Sequence, residues 1–353
     1  MRRLVCLFLP FTLLFINCHS SALGQKVADG HLPVVITDDT GTVHLVYGLD
    51  STIYYATATG QTARFTPPIA VATLPNLVAG AKRGPQLAAT GGYVVITAVN
   101  RTGDVFAYSR GPGTGRWSSA VRVNDVPAIA KEGFQAVAGA STGVFHSAWL
   151  DLRNDKRNKI AGATSHDGGR TWSANQVIYR SPDGTVCECC MVSIAAKGND
   201  VYVQFRNWLG GSRDLYLAHS ADGGKTYQPA RKLGTGTWKL NACPMDGGAV
   251  RISPTGQPLT VWRRENTLYT CRAGELEQAV ARGRNVTAGT GPAGLVVVWD
   301  EGGTIWLKAN DNAPVAIGKG QMPSVAVNGQ SAVCVWEADG QVMMATTDLP
   351  QKP

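Results

Sequence analysis

Short apolar segments that end in an aromatic residue recur along the chain. They occupy residues 43–47, 144–149, 201–205, 259–262, 296–299 and 333–336, and the apolar segment 93–99 fills the gap between the first two. The ends of successive segments are 37 to 57 residues apart, a spacing typical of the blades of β-propellers. The pattern therefore predicts seven repeated modules.

Each module has the same order of pieces around its aromatic-ended segment. A strand of small residues comes first, and a turn with Gly or Asp leads to the aromatic-ended strand. A polar loop, a third strand such as residues 53–56 or 215–218, another turn and an outer strand follow. Four short strands per repeat predict an all-β fold, a single β-propeller in which each sheet covers the apolar face of its neighbour.

The last module, residues 323–348, contains only three predicted strands. We expect a strand from the mature N-terminus to complete this module and to close the ring. The propeller domain would then span residues 25–353 and contain seven blades. A six-bladed ring is the alternative if the two short modules near the C-terminus are not full blades.

Residues 1–24 have the pattern of an export signal. Two arginines precede an almost wholly apolar run over residues 4–16, and small residues follow up to Gly24. The run is too short to cross a bilayer, so we expect no membrane span. Cleavage after Gly24 predicts a periplasmic or extracellular protein. Lipoprotein anchoring through Cys18 is the less favoured alternative, because Asn17 stands where such sites need a small residue.

Composition and charge narrow the choice of partner. With 353 residues, 44% hydrophobic residues and 41 glycines, the chain can bury a full core and supply many tight turns. Its formal net charge is +8, and a basic exported protein favours an anionic partner. The sequence contains no recognisable nucleic-acid-binding motif and no cofactor motif, so we expect neither kind of partner, and we expect a monomer.

Sulfur-bearing side chains are concentrated in residues 187–248, unlike the rest of the chain. They are Cys187, Cys189, Cys190, Met191, Cys243 and Met245. In an oxidising compartment cysteine pairing is the expected outcome, and a Cys190–Cys243 disulfide would join neighbouring blades. Two alternatives stay open. The cysteines and methionines offer ligands of the type that select copper(I), or the cysteines could remain free thiols.

Two turns share the pattern Ser-x-Asp-x-Gly-x-Thr-aromatic. Their key residues are Ser165, Asp167, Gly169 and Trp172 in the first turn, and Ser220, Asp222, Gly224 and Tyr227 in the second. The Asp side chain can accept hydrogen bonds from backbone amides, Gly permits a positive φ, and the aromatic ring anchors the next strand. We therefore expect these eight residues to have a structural role.

The two turns resemble the Asp box, also called the bacterial neuraminidase repeat. Over most of its mature length the chain is similar to Asp-box propellers, of which sialidases are the best-known members. The resemblance implies a propeller with each box between the third and fourth strands of a blade. Strand parity then places the loops between second and third strands, and those between blades, on the opposite face of the ring. We call this opposite face the rim.

Arginines are frequent on the predicted rim. The candidate substrate-binding residues there are Arg83, Arg153, Arg206, Arg213, Arg263 and Trp208. Guanidinium groups bind carboxylates and phosphates through paired hydrogen bonds, which suits an acidic glycan or another anionic ligand. The alternative is that these arginines pair with nearby acids and carbonyl groups in a structural network.

Catalysis is a hypothesis, because no catalytic motif is recognisable. The resemblance to sialidases implies an arginine triad for a carboxylate, a Tyr nucleophile helped by a Glu, and an Asp acid or base. On that basis Tyr269 is the candidate nucleophile and Glu188 its helper. Asp50 is the candidate acid or base, and Asp246 is a further acid able to transfer protons. The alternatives to sialidase-like hydrolysis of an acidic glycan are a non-catalytic binding or assembly propeller and a copper or thiol-redox protein.

Overall fold

The computed structural model describes residues 24–60, 64–272 and 275–350. These residues form seven antiparallel sheets of four strands each, and every sheet packs against the next around a ring. The predicted seven-bladed β-propeller is therefore confirmed, and the six-bladed alternative is wrong. Cys18 and the predicted export signal, except for Gly24, lie outside the described residues. Within the described ranges no helix is long and apolar enough to cross a membrane.

The strands follow the chain in order. Strand β1 spans Gln25–Asp29, and blade I contains β2 (His31–Thr37), β3 (Val43–Leu49), β4 (Thr52–Ala58) and β5 (Ile69–Thr73). Blade II contains β6 (Gln86–Thr90), β7 (Tyr93–Val99), β8 (Val105–Arg110) and β9 (Val121–Arg122). Blade III contains β10 (Gln135–Ser141), β11 (Val144–Asp151), β12 (Lys159–Ser165) and β13 (Gln176–Tyr179). Blade IV contains β14 (Ser193–Lys197), β15 (Asp200–Arg206), β16 (Leu215–Ser220) and β17 (Arg231–Lys232).

The last three blades complete the ring. Blade V contains β18 (Ala249–Ile252), β19 (Pro258–Arg264), β20 (Thr267–Arg272) and β21 (Gln278–Arg282). Blade VI contains β22 (Arg284–Gly291), β23 (Gly294–Glu301), β24 (Thr304–Ala309) and β25 (Val315–Lys319). Blade VII contains β26 (Gln321–Asn328), β27 (Ser331–Ala338) and β28 (Gln341–Asp348), together with β1.

Blade VII combines the two ends of the described chain. Strand β1 pairs antiparallel with β28, with Gln25 opposite Met344 and Asp29 opposite Gln341. The strand order is therefore β1, β28, β27, β26, whereas the other six blades have their strands in consecutive order. The predicted closure of the ring by an N-terminal strand is confirmed. The centre of the ring is lined by the first strand of each of blades I to VI and by β26 of blade VII.

The aromatic residues that end the second strands fill the junctions between blades. Trp299 and Trp336 are 2% and 0% exposed, and each packs with core residues of the preceding blade. A Cβ atom at Gly283 would lie 2.4 Å from the Trp299 ring, and one at Gly320 would lie 2.5 Å from the Trp336 ring. The two glycines have φ angles of 146° and 143°, which residues with a side chain rarely adopt. Each aromatic ring therefore requires a glycine in the connection before its blade.

The two Ser-x-Asp turns form the hydrogen bonds that their sequence predicted. Ser165 Oγ accepts a bond from the N–H of Gly169 at 2.8 Å, and Asp167 Oδ1 accepts one from the N–H of Thr171 at 2.9 Å. The equivalent residues of the second turn, Ser220, Gly224, Asp222 and Thr226, form the same two bonds at 2.9 Å each. The aromatic residues Trp172 and Tyr227 pack against buried core clusters. Both turns join the third and fourth strands of a blade, as predicted.

We expect Asp167→Ala to lower the free energy of unfolding by about 1 kcal/mol at neutral pH, because the turn loses a charged acceptor. Partial burial favours the neutral acid, but hydrogen bonds led by those from Thr171 outweigh it and lower the pKa of Asp167. This stabilisation is present above the unfolded-state pKa of about 3.9 and is lost as the pH falls through the lower folded-state pKa. Urea unfolding at neutral pH and in strong acid measures it, with the exposed Asp311→Ala as control. An equal loss under both conditions would contradict the prediction.

Candidate functional site

The centre of the ring is a channel with a cavity of about 520 Å³. Most of its wall consists of small or apolar residues from the first strands, among them Ala88, Ala138 and Ala195. The charged side chains in the described part of the wall are Lys82, Lys197, Asp246 and Arg251. The chemistry of the channel therefore depends on these few groups.

Four residues form a buried polar hub where the first strands begin: Lys82, Arg206, Asp246 and Arg263. The Asp246 carboxylate is 2.7 Å from Arg263 Nε and 3.3 Å from Lys82 Nζ. Arg206 Nε donates to the backbone carbonyl of Asp246 at 3.0 Å. Burial by itself would raise the pKa of Asp246, but the three cations outweigh it and lower the pKa. Asp246 is therefore ionised at neutral pH, which does not suit a proton donor.

Two of the predicted substrate-binding arginines, Arg206 and Arg263, donate their guanidinium hydrogen bonds to other groups of the protein. Arg206 is 1% exposed and donates to three backbone carbonyl groups, including that of Arg213 at 2.6 Å. Arg263 donates to two further carbonyl groups, one of them that of Pro244 at 2.8 Å. Both guanidinium groups lie 5.2 Å from the centre of the Trp238 ring. This arrangement corresponds to the structural network that the sequence offered as the alternative.

Arg153 and Arg83 also have partners inside the protein. Arg153 Nε and Nη2 lie 2.8 and 2.9 Å from the two carboxylate oxygens of Asp151, and this hydrogen bonding is the main cause that raises the pKa of Arg153. The Arg83 guanidinium lies 4.2 Å from the centre of the Phe134 ring, and its Nε donates to the carbonyl group of Glu132. Neither arginine is among the residues that line the channel.

The other candidate catalytic residues stand apart from the channel. Tyr269 lies in β20, where its ring centre is 6.1 Å from that of Trp262 and 4.2 Å from the guanidinium of Arg264. Glu188 is exposed in the loop before β14, and Asp50 is exposed between β3 and β4. None of these three candidates is among the described residues that line the channel. They therefore do not surround one ligand there.

The cysteine-rich loops meet, but through a different disulfide from the predicted one. Cys189, in the loop before β14, is bonded to Cys243, in the loop before β18. The predicted Cys190–Cys243 pair is wrong because Cys190 faces inward: it is 1% exposed, and its Sγ lies 3.4 Å from that of Cys187. Cys189 lies in a turn and Cys190 in the bend that follows it, and this local geometry brings Cys189 to Cys243 and Cys190 to Cys187. The disulfide joins the loops of blades IV and V.

Five sulfur-bearing residues form one contiguous group, which we call the sulfur cluster: Cys187, Cys189, Cys190, Cys243 and Met245. Arg213 Nη1 donates to Cys187 Sγ at 2.9 Å, and its guanidinium lies 4.4 Å from the Trp208 ring. Arg213 and Trp208, both predicted to bind substrate, therefore lie beside the sulfur cluster. Met191 packs elsewhere, against the core cluster between blades III and IV.

The two buried thiols of the sulfur cluster differ in acidity. Burial opposes ionisation of Cys190, but the hydrogen bond from Cys187 and the charge of Arg206 outweigh it and lower the pKa of Cys190 to about 6. The same hydrogen bond is the main cause that raises the pKa of Cys187. The hydrogen bond between the two sulfur atoms therefore favours the thiolate form of Cys190 over that of Cys187.

Sequence reasoning missed Arg251, which lies in the first strand of blade V and lines the channel. Its Nη1 donates to the carbonyl group of Val250 at 2.8 Å, and its Nη2 lies 3.4 Å from Thr287 Oγ1. No acidic side chain in the described parts of the chain forms an ion pair with it. Burial without a counter-charge lowers the pKa of Arg251 to about 10. The sequence did contain one signal: Arg251 lies in a first strand, and the first strands consist mostly of small residues.

Comparisons with known proteins agree on the fold alone. No protein-family model matches the chain, and no curated protein sequence matches it. Among solved structures, an ulvan lyase of polysaccharide lyase family PL25 has a TM-score of 0.55 at 12% identity, covering 92% of this chain and 96% of that chain. An α-L-arabinanase from Penicillium chrysogenum has a TM-score of 0.52 at 11% identity, covering 92% and 98%. The SapL1 lectin, in complex with α-methyl fucoside, has a TM-score of 0.52 at 13% identity, covering 84% and 97%.

Proposed function

We propose that this protein is a glycan-binding β-propeller that holds an anionic saccharide in its central channel, with Arg251 as the cation that recognises the anion. The observation that carries the proposal is the Arg251 guanidinium, which lines a cavity of about 520 Å³ without a carboxylate partner among the described residues. We also propose that the protein is exported and that it is related to the Asp-box propellers.

The unpaired charge of Arg251 is the physical reason to expect an anionic ligand. A cation surrounded by protein without a counter-charge is unfavourable for the fold, which is why the pKa of Arg251 is lowered to about 10. A carboxylate or sulfate would supply the missing charge through two parallel N–H···O bonds. The cavity volume lies within the range of roughly 300–1,000 Å³ that small-molecule sites occupy.

The ligands of the structural neighbours support a saccharide. The ulvan lyase family is also represented by a complex with -[GlcA(1-4)Rha3S]-, a saccharide that carries a uronic acid and a sulfate. The SapL1 lectin binds α-methyl fucoside. Propellers of this shape therefore accommodate both acidic and neutral sugars, and Arg251 is the feature of this chain that favours the acidic ones.

Binding is better supported than sialidase-type hydrolysis. Arg206 and Arg263 donate to backbone carbonyl groups, and Tyr269 lies in a third strand away from the channel wall. The proposed carboxylate site therefore has one guanidinium without an acidic partner among the described residues, that of Arg251. None of the predicted nucleophiles lies beside it. Turnover of a fluorogenic sialoside by the purified protein would add hydrolysis to binding.

We expect Arg251→Met to weaken binding of acidic saccharides by roughly 10- to 100-fold, the loss of about 1.5–3 kcal/mol for hydrogen bonds to a charged group. Titration calorimetry with uronate, sialylated and sulfated oligosaccharides measures the affinity, and the methyl esters of the uronates serve as neutral matches.

Arg231→Met is the matched control, because Arg231 is an exposed arginine on an outer strand. It should bind like the wild type. Because Arg251 is only half-buried and has no acidic partner among the described residues, Arg251→Met should not lower the free energy of unfolding, and urea unfolding of the variant checks that loss of binding is not loss of folding. Equal affinity of Arg251→Met and wild type, or equal affinity for acids and their methyl esters, would overturn the proposal.

A further inference from the structure

The sulfur cluster has no part in the proposed saccharide site. Its sulfur atoms follow one another at short distances: Cys190 to Cys187 at 3.4 Å, Cys187 to Cys189 at 3.7 Å, the Cys189–Cys243 bond, and Cys243 to Met245 Sδ at 3.3 Å. The Sγ atoms of Cys187, Cys189 and Cys190 all lie within 4.8 Å of one another, and all three residues are buried. Sulfur atoms at this separation can contact one metal ion at the same time.

The charge around the cluster complements thiolates. Arg213 Nη1 donates to Cys187 Sγ at 2.9 Å, and Arg213 forms no ion pair with a carboxylate in the ranges that the structure covers. Arg206, 1% exposed, belongs to the polar hub around Asp246 and donates its hydrogen bonds to carbonyl groups. Arg213 is therefore the buried guanidinium beside the thiols that has no carboxylate partner among the described residues, and thiolate ligands of a monovalent metal ion would supply its counter-charge.

The donor atoms select a soft metal ion. The cluster offers thiolates and one thioether, whereas Zn²⁺ and harder ions prefer four thiolate or imidazole ligands, or oxygen. Met245 packs against the three buried cysteines although its backbone has a φ of 50°, a left-handed conformation that is unfavourable for this residue type. The thioether of Met245 therefore lies beside the cysteines.

We propose that the sulfur cluster is a copper(I) site, in which Cys187 and Cys190 supply two thiolates and Cys189 becomes a third ligand when its disulfide with Cys243 is reduced. Each thiol that binds the ion releases one proton to solvent. Reduction of the Cys189–Cys243 bond consumes two electrons and two protons from a dithiol reductant and yields two thiols. Met245 is a thioether neighbour of the ion, and Arg213 is a positioning residue that stabilises the Cys187 thiolate.

Copper(I) titration of the full chain tests the site, with a chromophoric copper(I) chelator as competitor. We expect one copper(I) per chain and the near-ultraviolet absorption of a copper–thiolate bond, with tighter binding after treatment with a dithiol reductant. The double variant Cys187→Ser/Cys190→Ser should lose this binding. Cys271→Ser is the matched control, because Cys271 is also buried and free but lies in blade V outside the sulfur cluster.

Two measurements keep the test informative if the double variant folds poorly. In the wild type, bound copper(I) should protect Cys187 and Cys190 from alkylation, as read by peptide mass spectrometry, while Cys271 and Cys334 should react equally with and without copper. Arg213→Gln should weaken copper(I) binding by roughly 10- to 100-fold, the usual effect of losing a group that supports a ligand, whereas Arg231→Gln should not.

Three results would overturn the proposal. The first is copper(I) binding that survives in the double variant, and the second is a wild type that binds no stoichiometric copper(I) before or after reduction. The third is zinc that binds to the same thiols more tightly than copper(I). Full oxidation of Cys187 and Cys190 to a second disulfide that persists under the reductant would give the second result.

Discussion

Asp246→Asn is expected to lower the free energy of unfolding by about 3–5 kcal/mol, the cost of leaving buried charges without their partner. The carboxylate is 2% exposed and holds Lys82 at 3.3 Å and Arg263 at 2.7 Å. Lys82 precedes blade II, whereas Asp246 and Arg263 belong to blade V and its entry loop, so the loss would loosen the ring at the end of the channel. Denaturant unfolding at neutral pH measures the effect, and Asp311→Asn, an exposed residue, is the control.

The pH dependence of the same variant distinguishes a structural from a catalytic Asp246. The pKa of Asp246 is lowered in the folded state, so its stabilisation is present above the unfolded-state pKa of about 3.9 and is lost as the pH falls through the folded-state pKa. The difference between wild type and variant should therefore shrink in strong acid. Unchanged stability together with loss of a hydrolytic activity would instead identify Asp246 as a catalytic group.

Trp336→Ala is the second change with a large expected effect, a loss of about 3–5 kcal/mol in the free energy of unfolding. The side chain is 0% exposed, and its Nε1 donates to the carbonyl group of Lys319 at 2.6 Å. The ring fills the junction of blades VI and VII and packs against Gly320, so its removal leaves a cavity that the glycine-containing connection cannot refill.

Two further variants calibrate this expectation in thermal or denaturant unfolding. Trp306→Ala, at a half-buried tryptophan of β24, should cost clearly less than Trp336→Ala. Trp336→Phe should retain most of the packing but lose the bond to Lys319 and should lie between wild type and alanine. A Trp336→Ala protein as stable as Trp306→Ala would show that the recurring aromatic position does not hold the blades together.

The repeat and the turns could be predicted because their causes are local. Most second strands carry an aromatic residue near their end, and two blades carry a Ser-x-Asp-x-Gly turn, so short sequence windows contain these signals. Seven blades and the hydrogen bonds of Asp167 and Asp222 follow from such windows, whereas the closing N-terminal strand followed from the count of three strands in the last module, because β1 and β28 lie at opposite ends of the described chain.

The meeting of the cysteine-rich loops was also predictable, from strand parity, but the identity of the bonded cysteine was not. Cys189 and Cys190 are neighbours in the sequence, and the direction of each side chain depends on how the loop before β14 enters its blade. A rotation by one residue would exchange the disulfide-bonded and the free cysteine. The sequence therefore indicated which loops are joined, and the packing of Cys190 beside Cys187 decided which cysteine joins them.

The sequence by itself determined an all-β ring of seven repeated sheets with aromatic junctions, because each of those features depends on neighbouring residues. Only the tertiary structure decided which arginines are free to bind a ligand. Arg206 and Arg263 find carbonyl groups and Asp246 on distant segments, whereas Arg251 reaches the channel without a carboxylate partner among the described residues. The reason is that a buried charge is satisfied by whatever the closed ring places around it, and those partners are far apart along the chain.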